Sequence, residues 1–163
     1  MMNINEIDAL IFDFDGVLTD NKVLVHQDGS ESVLCNRADG LAFDVLRKLQ
    51  IPTYIISTET NTVVTQRAKK LKIPVIQGAS NKLETLSKLC NEENYDISKI
   101  LFIGNDLNDY QVMKASGYSA CPSDAHPKIR EISSHVLSLA GGAGVARELL
   151  DEIFNLDLIE ILY

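Results

Sequence analysis

Short apolar runs alternate along this chain with stretches in which apolar residues recur every three or four positions. The runs predict strands at residues 8–13, 52–57, 74–77, 100–103, 118–121 and 135–139. The spaced stretches predict helices at 39–49, from about 60, around 83–90, at 107–116 and from 144 to about 154. This alternation is typical of an α/β fold with a doubly wound parallel sheet flanked by helices.

One segment departs from the alternation. Residues 22–26 and 32–35 alternate apolar and polar side chains on either side of Asp28-Gly29, a dipeptide that favours a tight turn. The segment therefore predicts a β-hairpin insertion directly after strand one, spanning about residues 21–36. Its position favours a flap or an assembly element over a surface hairpin that only connects.

Composition and charge narrow the class of protein. The 163 residues are 45% hydrophobic, enough for one core, so we expect a single domain over 1–163. Fifteen Lys and Arg against 23 Asp and Glu give a net charge of −8, which argues against nucleic-acid and membrane partners. Three widely spaced cysteines, no signal-peptide pattern and no membrane-length apolar run favour a cytoplasmic protein.

Two carboxylates follow the first apolar run. Asp13 and Asp15 stand two residues apart, before Gly16. Because unpaired charge is costly inside a buried strand, we expect both at the strand's C-terminal end, where open α/β sheets bind ligands. Two carboxylates there suggest a hard metal ion, a phosphoryl-accepting nucleophile or both. A turn with two solvated aspartates is the alternative.

Polar residues also follow the other predicted strands. Ser57 ends the second strand ahead of a helix, where a hydroxyl can bind a phosphate oxygen or merely cap the helix. Lys82 follows the third strand, and an isolated lysine is most often solvated. The run 100–103 ends in Gly-Asn-Asp-Leu-Asn-Asp at 104–109, a second acidic strand end. It can complete a cation site made of oxygen ligands.

Residues 11–109 resemble, in order, the four signatures of the haloacid dehalogenase superfamily of phosphatases. The features that carry the resemblance are the Asp13/Asp15 pair, Ser57, Lys82 and the acidic run at 104–109. The small hairpin, in place of a large inserted cap, resembles its capless subclass, and the family implies a Rossmann-like core. The segments 77–83, 123–127 and 141–148 extend the resemblance. They resemble the branch of 3-deoxy-manno-octulosonate 8-phosphate phosphatases and sialic-acid-type 9-phosphate phosphatases.

The resemblance implies roles for the carboxylates. Asp13 is the expected nucleophile that forms an aspartyl-phosphate, and Asp15 the expected general acid and then base. Mg²⁺ is expected on Asp13, Asp106 and the backbone carbonyl of Asp15. Asn105 and Asp109 are expected beside the metal ligands; many relatives carry Asp at the position of Asn105.

The resemblance also implies how an anionic substrate binds. Ser57 and Lys82 are expected to neutralise phosphoryl oxygens. Thr58-Glu59 stands where octulosonate phosphatases commonly carry Gly-Arg, and the spacing of Glu59 to Arg67 and Lys70 resembles the nine-carbon branch. Glu59 would accept substrate hydroxyls, while Arg67 and Lys70 would bind the sugar-acid carboxylate. A first-turn carboxylate and a solvated basic helix face are the alternatives.

These features favour a Mg²⁺-dependent sugar-acid phosphatase that prefers a sialic-type 9-phosphate to octulosonate 8-phosphate. A phosphomutase would need a cap, and a signalling receiver domain would need an Asp after strand three. A non-catalytic oligomerisation module attached to an acylneuraminate cytidylyltransferase is disfavoured by the Asp13/Asp15 pair. The open site and the hairpin predict a homo-oligomer, most readily a homotetramer. The apolar tail at 155–163 is expected to dock on a neighbour or on its own core.

Overall fold

The fold was derived from a computed structural model, which describes residues 2–163. Its strands are β1 (Ala9–Phe12), β2 (Leu24–Val25), β3 (Glu31–Ser32), β4 (Thr53–Ile56), β5 (Val75–Ile76), β6 (Ile100–Ile103), β7 (Tyr118–Cys121) and β8 (His135–Val136). Its α-helices are α1 (Arg37–Lys48), α2 (Thr62–Leu71), α3 (Lys82–Glu93), α4 (Tyr110–Ala115), α5 (Pro127–Ile132), α6 (Val145–Glu148) and α7 (Leu158–Leu162). Within residues 2–163, none of these helices is long and apolar enough to cross a bilayer.

Six parallel strands form the main sheet in the order β5-β4-β1-β6-β7-β8. The predicted doubly wound parallel sheet is confirmed. After β1 the chain builds outward through β4 and β5, then returns to β6 on the other side of β1. The carboxyl ends of β1 and β6 therefore flank the topological switch point, which is where open α/β sheets form a ligand crevice.

The central strand β1 is buried on both faces. All four of its residues have 0% exposure, which explains why it reads as a continuous apolar run. Leu10 and Phe12 face a layer containing α1 and the C-terminal helices, while Ala9 and Ile11 face α3 and α4. Phe12 packs edge-to-face on Phe43 of α1. The two apolar layers fix β1 in place and so fix the residues that follow it.

Asparagine side chains determine where the helices next to the site begin. Asn36, Asn61 and Asn81 each accept a hydrogen bond from a backbone N–H in the first turn of α1, α2 and α3. The cap at Asn36 explains why α1 begins two residues before the predicted position 39. The caps also place α2 and α3 a few residues beyond the ends of β4 and β5.

The hairpin is present with shorter strands than the sequence pattern suggests. Leu24 pairs with Ser32 and Val25 with Glu31, and an isolated bridge joins Thr19 to Cys35. Both strands lie outside the main sheet, so tertiary contacts do not extend their pairing. Four apolar side chains of the hairpin are more than half exposed: Val23, Leu24, Val25 and Leu34.

The C-terminal segment docks on its own chain. The predicted helix at 144–154 consists of α6 followed by a π-helical turn, Leu149–Ile153. Residues 158–162 form α7, which packs against α1, and Leu158 is buried there. Lys48 Nζ donates to the carbonyls of Ile161 and Leu162 at the end of α7. Of the two expected docking places for the tail, the structure shows its own core.

Candidate active site

A buried lysine lies between two aspartates at the switch point. Lys82 Nζ is 2.7 Å from Asp13 Oδ1 and 2.7 Å from Asp109 Oδ1. The three residues arrive from different elements: Asp13 follows β1, Lys82 begins α3 and Asp109 follows β6. All three are at most 5% exposed. The structure therefore brings together three of the residues that the sequence singled out.

The electrostatics of this cluster follow from its burial. Burial raises the pKa of Asp13 to about 7; the Asp109 carboxylate adds to the rise, and Lys82 opposes it. Burial by itself would lower the pKa of Lys82, but Asp13 and Asp109 together raise it above its ordinary value. Two carboxylates thus share one ammonium group. The negative charge of the cluster exceeds its positive charge, so a further cation would stabilise it.

Asp109 also organises the loop after β6. Its Oδ2 accepts from the backbone N–H of Asn105 at 2.9 Å and of Asp106 at 3.4 Å. Asp106 itself is exposed, and its Oδ1 accepts from the Leu107 N–H as a helix cap. Asn105 is 7% exposed, and its Oδ1 finds no hydrogen-bond partner within residues 2–163. The loop thus directs the amide of Asn105 into the protein and the carboxylate of Asp106 outward.

Asp15 lies two residues after Asp13, and Ser57 and Glu59 follow β4, the strand that pairs with β1. Burial raises the pKa of the half-buried Asp15, and the nearby Glu59 carboxylate raises it further. Ser57 is 1% exposed, and its Oγ accepts from the Glu59 N–H at 3.1 Å. The Glu59 carboxylate accepts from the N–H groups of Thr60 and Asn61. Glu59 therefore caps this turn, and its negative charge also raises the pKa of Asp15.

Arg67 and Lys70 lie together in a neighbouring groove. A cavity of about 410 Å³ is lined by both of them and by Cys35, Arg37 and Asp44, among others. Arg67 Nη2 donates to the carbonyl of Asn36 at 2.9 Å, and Lys70 is exposed. The structure groups these two cations next to the hairpin, apart from the Asp13–Lys82–Asp109 cluster.

The largest cavity described adjoins the site without containing its carboxylates. It has a volume of about 590 Å³ and lies between the beginnings of α3 and α4, where Ser80, Lys82, Asn108 and Lys128 are among its lining residues. Neither Asp13 nor Asp15 lines it. This volume is therefore not the place where the two carboxylates could act on a substrate.

The donor set fits a magnesium ion. Within residues 2–163, no three His, Cys, Asp or Glu side chains are grouped closely enough to hold a metal ion by themselves. A site of two side-chain oxygens, one backbone carbonyl and waters does not need such a group, and Mg²⁺ often retains several waters. Such an ion would give the unpartnered Asn105 Oδ1 a partner. It would also balance the excess negative charge around Lys82.

Two residues that were given no role from the sequence, Thr19 and Glu31, support the site in the structure. Thr19 is fully buried, and its Oγ1 accepts from the N–H groups of Gly16 and Asn21. Glu31 of the hairpin accepts from Asn61 Nδ2 at 2.9 Å and contributes to the raised pKa of Asp15. The bond between Glu31 and Asn61 joins segments 30 residues apart, so no local spacing could have revealed it, whereas the contacts of Thr19 are local.

Comparison with known proteins places the chain in a family. Residues 41–149 match the model of haloacid dehalogenase-like hydrolases. The 3-deoxy-D-manno-octulosonate 8-phosphate phosphatase of Escherichia coli K12 is 34% identical over 146 residues, which are 89% of this chain and 78% of the relative.

Solved structures agree with the fold. A Streptomyces avermitilis protein described as a HAD family hydrolase superposes with a TM-score of 0.93 and 38% identity, covering 97% of this chain and 91% of the other. The octulosonate 8-phosphate phosphatase of Moraxella catarrhalis, solved with a magnesium ion, a phosphate ion and KDO, has a TM-score of 0.89 at 28% identity, covering 93% and 88%.

The chain belongs to the haloacid dehalogenase-like hydrolase family. Within that family it falls in the branch that contains the octulosonate 8-phosphate phosphatases, and it is a phosphoric monoester hydrolase. The resemblance seen in the sequence is confirmed. The assignment of individual site residues stays a prediction that the geometry above supports.

Proposed function

We propose that this chain is a Mg²⁺-dependent phosphatase that removes the phosphate of a sugar acid through an aspartyl-phosphate on Asp13. The observation that carries the proposal is the contact of Lys82 with both Asp13 and Asp109 at the switch point, with Asp15 two residues away. This arrangement joins a nucleophile, a fixed cation and a second carboxylate in one crevice.

Asp13 is well placed to attack phosphorus. Its Oδ1 is held by Lys82 and by the N–H of Phe14 at 2.7 Å, so the other oxygen is the one left to attack. Covalent catalysis divides one hard displacement into two easier ones. Lys82 and Ser57 then lie near the equatorial phosphoryl oxygens, where fixed donors stabilise the transition state.

Asp15 supports the proposal as the proton donor. Burial and the nearby Glu59 carboxylate raise its pKa above the ordinary value of an aspartate, which favours the protonated form. A carboxylic acid that still carries its proton can give it to the departing alkoxide. Once ionised, the same group can accept a proton from the water that hydrolyses the aspartyl-phosphate.

The residues that would hold Mg²⁺ are Asp13, the backbone carbonyl of Asp15 and one side-chain oxygen from the loop after β6. For that oxygen, Asp106 is the expectation from the family pattern. The buried, unpartnered Oδ1 of Asn105 supports Asn105 instead, because Asp106 is exposed and caps a helix. When bound, the ion would supply positive charge to the phosphoryl group.

For the substrate, we propose a nine-carbon sialic-type 9-phosphate. Glu59 lies close enough to Asp15 to raise its pKa, and it could accept a hydrogen bond from a hydroxyl of the longer substrate. The groove lined by Arg67 and Lys70 could bind the carboxylate of the sugar acid. The second candidate is octulosonate 8-phosphate, which is favoured by the relatives named as phosphatases of that compound.

The proposed function is tested by phosphate release from a panel of sugar-acid phosphates, with and without Mg²⁺. Asp13→Asn should abolish release while the circular dichroism spectrum stays unchanged. Glu92→Gln, an exposed neutralisation on α3, is the control and should keep full activity. Turnover of Asp13→Asn within about tenfold of the parent, a barrier change of only about 1.4 kcal/mol, would reject Asp13 as the nucleophile.

A further inference from the structure

A glycine loop between β8 and α6 presses on the backbone that follows Asp15. A Cβ placed on Gly141 would lie 2.1 Å from the carbonyl oxygen of Gly16 and 3.0 Å from that of Thr19. The adjacent Gly142 donates its N–H to the carbonyl of Val17 at 3.0 Å. Only hydrogen fits at position 141, because any side chain there would collide with backbone rather than with a movable side chain.

Gly16 is also confined by the loop after β6. A Cβ on Gly16 would lie 1.9 Å from Asn105 Nδ2, and Gly16 has a φ of +80°, which suits glycine. The Gly16 N–H is held by Thr19 Oγ1 at 3.2 Å. Gly16 is thus enclosed between Asn105 after β6 and Gly141 before α6.

The glycine loop is itself anchored from behind. Asp124 Oδ1 accepts from the Gly141 N–H at 2.9 Å. The buried Glu148 carboxylate accepts from the N–H groups of Ser138 and Leu139 at 2.6 and 2.9 Å. Because these bonds hold the backbone at Ser138, Leu139 and Gly141, a movement of Gly141 away from Gly16 would strain or break them.

We propose that Gly141 and Asp124 are positioning residues that fix the direction of the Asp15 carboxyl group. This inference rests on the proposed function, in which Asp15 protonates the leaving group. One peptide bond joins Asp15 to Gly16, so a displacement of Gly16 reorients Asp15 directly. A misplacement of about 1 Å at a reacting group costs about a hundredfold in rate.

The chemistry of the leaving group separates this role from a general structural one. A sugar alkoxide needs a proton as it departs, whereas the phenolate of an activated aryl phosphate departs without one. The constant kcat/KM reports on steps up to the departure of the leaving group. A displaced Asp15 should therefore lower kcat/KM for the sugar phosphate and leave that for the aryl phosphate nearly unchanged.

The test compares Gly141→Ala with the parent at saturating Mg²⁺, on the best sugar-acid phosphate and on p-nitrophenyl phosphate. We expect a loss of about tenfold to a hundredfold on the sugar phosphate and less than about threefold on the aryl phosphate. Glu92→Gln, an exposed substitution near the end of α3 opposite to Lys82, is the control and should leave kcat/KM for both esters unchanged. Equal losses on the two esters, or no loss on either, would overturn the proposal.

A second pair of variants covers the case in which Gly141→Ala does not fold. Asp124→Ala removes the acceptor of the Gly141 N–H and adds no atoms, and Asp124→Asn restores an oxygen at that position. The Ala variant should show the same selective loss, about threefold to tenfold, and the Asn variant should recover it. A parent inactive on both esters would overturn the proposed function and this inference together, whereas unselective losses in an active enzyme overturn this inference alone.

Discussion

Lys82 Nζ lies 2.7 Å from Asp13 Oδ1, in a place where neither side chain is more than 7% exposed. Lys82 begins α3 and Asp13 follows β1, so the contact joins two segments about 70 residues apart in the chain. Because a buried charge requires compensation, this pair and Asp109 form a unit whose members cannot be removed singly without cost.

Loss of the lysine should therefore destabilise the protein as well as inactivate it. Lys82→Met leaves Asp13 and Asp109 buried without their cation, and we expect a loss of about 3–5 kcal/mol in the free energy of unfolding. Urea titration with a chelator present measures this. Lys88→Met, which breaks an exposed pair with Glu92, should change stability by less than about 1 kcal/mol. A loss for Lys82→Met as small as that of the control would contradict the argument.

Metal affinity should distinguish the two candidate oxygens of the loop after β6. We expect Asn105→Ala to weaken Mg²⁺ binding by about tenfold or more, because it removes a buried oxygen that has no other partner among residues 2–163. Asp106→Asn keeps the helix-capping oxygen and should change the affinity by less than about threefold. Calorimetric titration with Mg²⁺ measures both. The reverse order of effects would assign the ligand to Asp106.

The pH dependence of stability should reveal a buried carboxyl outside the catalytic cluster. Asp39 is 1% exposed; its Oδ1 accepts from the Arg147 N–H, and its Oδ2 has no partner in the described chain. Burial raises the pKa of Asp39 from 3.8 to about 6, against the opposing effects of that hydrogen bond and of Arg67. Below pH 3.8 Asp39 is protonated in both the folded and the unfolded protein, so its full contribution to the free energy of unfolding is present there. It is lost as the pH rises through about 6.

The free energy of unfolding of the parent should therefore fall by about 2–3 kcal/mol more than that of Asp39→Asn as the pH rises from 4 to 6.5. The Asn variant keeps an acceptor for the Arg147 N–H and cannot ionise. Urea titrations at four pH values measure the difference. Asp44→Asn, an exposed substitution on the same helix, should follow the parent curve. Parallel curves for the parent and Asp39→Asn would show that Asp39 does not titrate in this range.

Substrate preference should depend on Glu59. We expect a higher kcat/KM for the sialic-type 9-phosphate than for octulosonate 8-phosphate, and Glu59→Ala should reduce that ratio by about tenfold or more. One charged hydrogen bond is worth about 1.5–3 kcal/mol, which is enough to decide the preference. Side-by-side kinetics on the two esters measure it. An unchanged ratio in Glu59→Ala would leave Glu59 as a helix-cap carboxylate, its bond to Thr60 and Asn61 being its whole role.

The exposed hairpin should mediate self-association. We propose that residues 1–163 form one domain that assembles as a homotetramer, because four apolar hairpin side chains are more than half exposed beside an uncovered site. Light scattering should give four times the 18.0 kDa chain mass. Leu24→Lys with Leu34→Lys should give smaller species, whereas Ile159→Lys on α7 should not. A monomeric parent at working concentration would exclude the assembly.

The sequence by itself determined the sheet and the places where chemistry could occur. The apolar run ending at Asp13 and the run ending at Gly104 are buried on both faces, so their patterns need no tertiary information to be recognised. Because parallel strands end at one edge, Asp13 and the acidic run at 104–109 were expected at that edge, whereas Lys82 was placed there by the family resemblance. The hairpin followed from its turn residues, although its pairing is shorter than the alternation suggested.

Only the tertiary structure decided which way the side chains of the loops point. Asn105 and Asp106 are neighbours, and Asp106 is extended with φ −135° and ψ 176°, so successive side chains there face opposite sides. The family pattern favours Asp106 as the metal ligand, yet the fold buries the side chain of Asn105 and exposes that of Asp106. The contact of Gly141 with Gly16 joins residues 125 positions apart, and it depends on how α6 packs against α1. Such contacts are set by the packing of whole elements, which no local pattern of residues encodes.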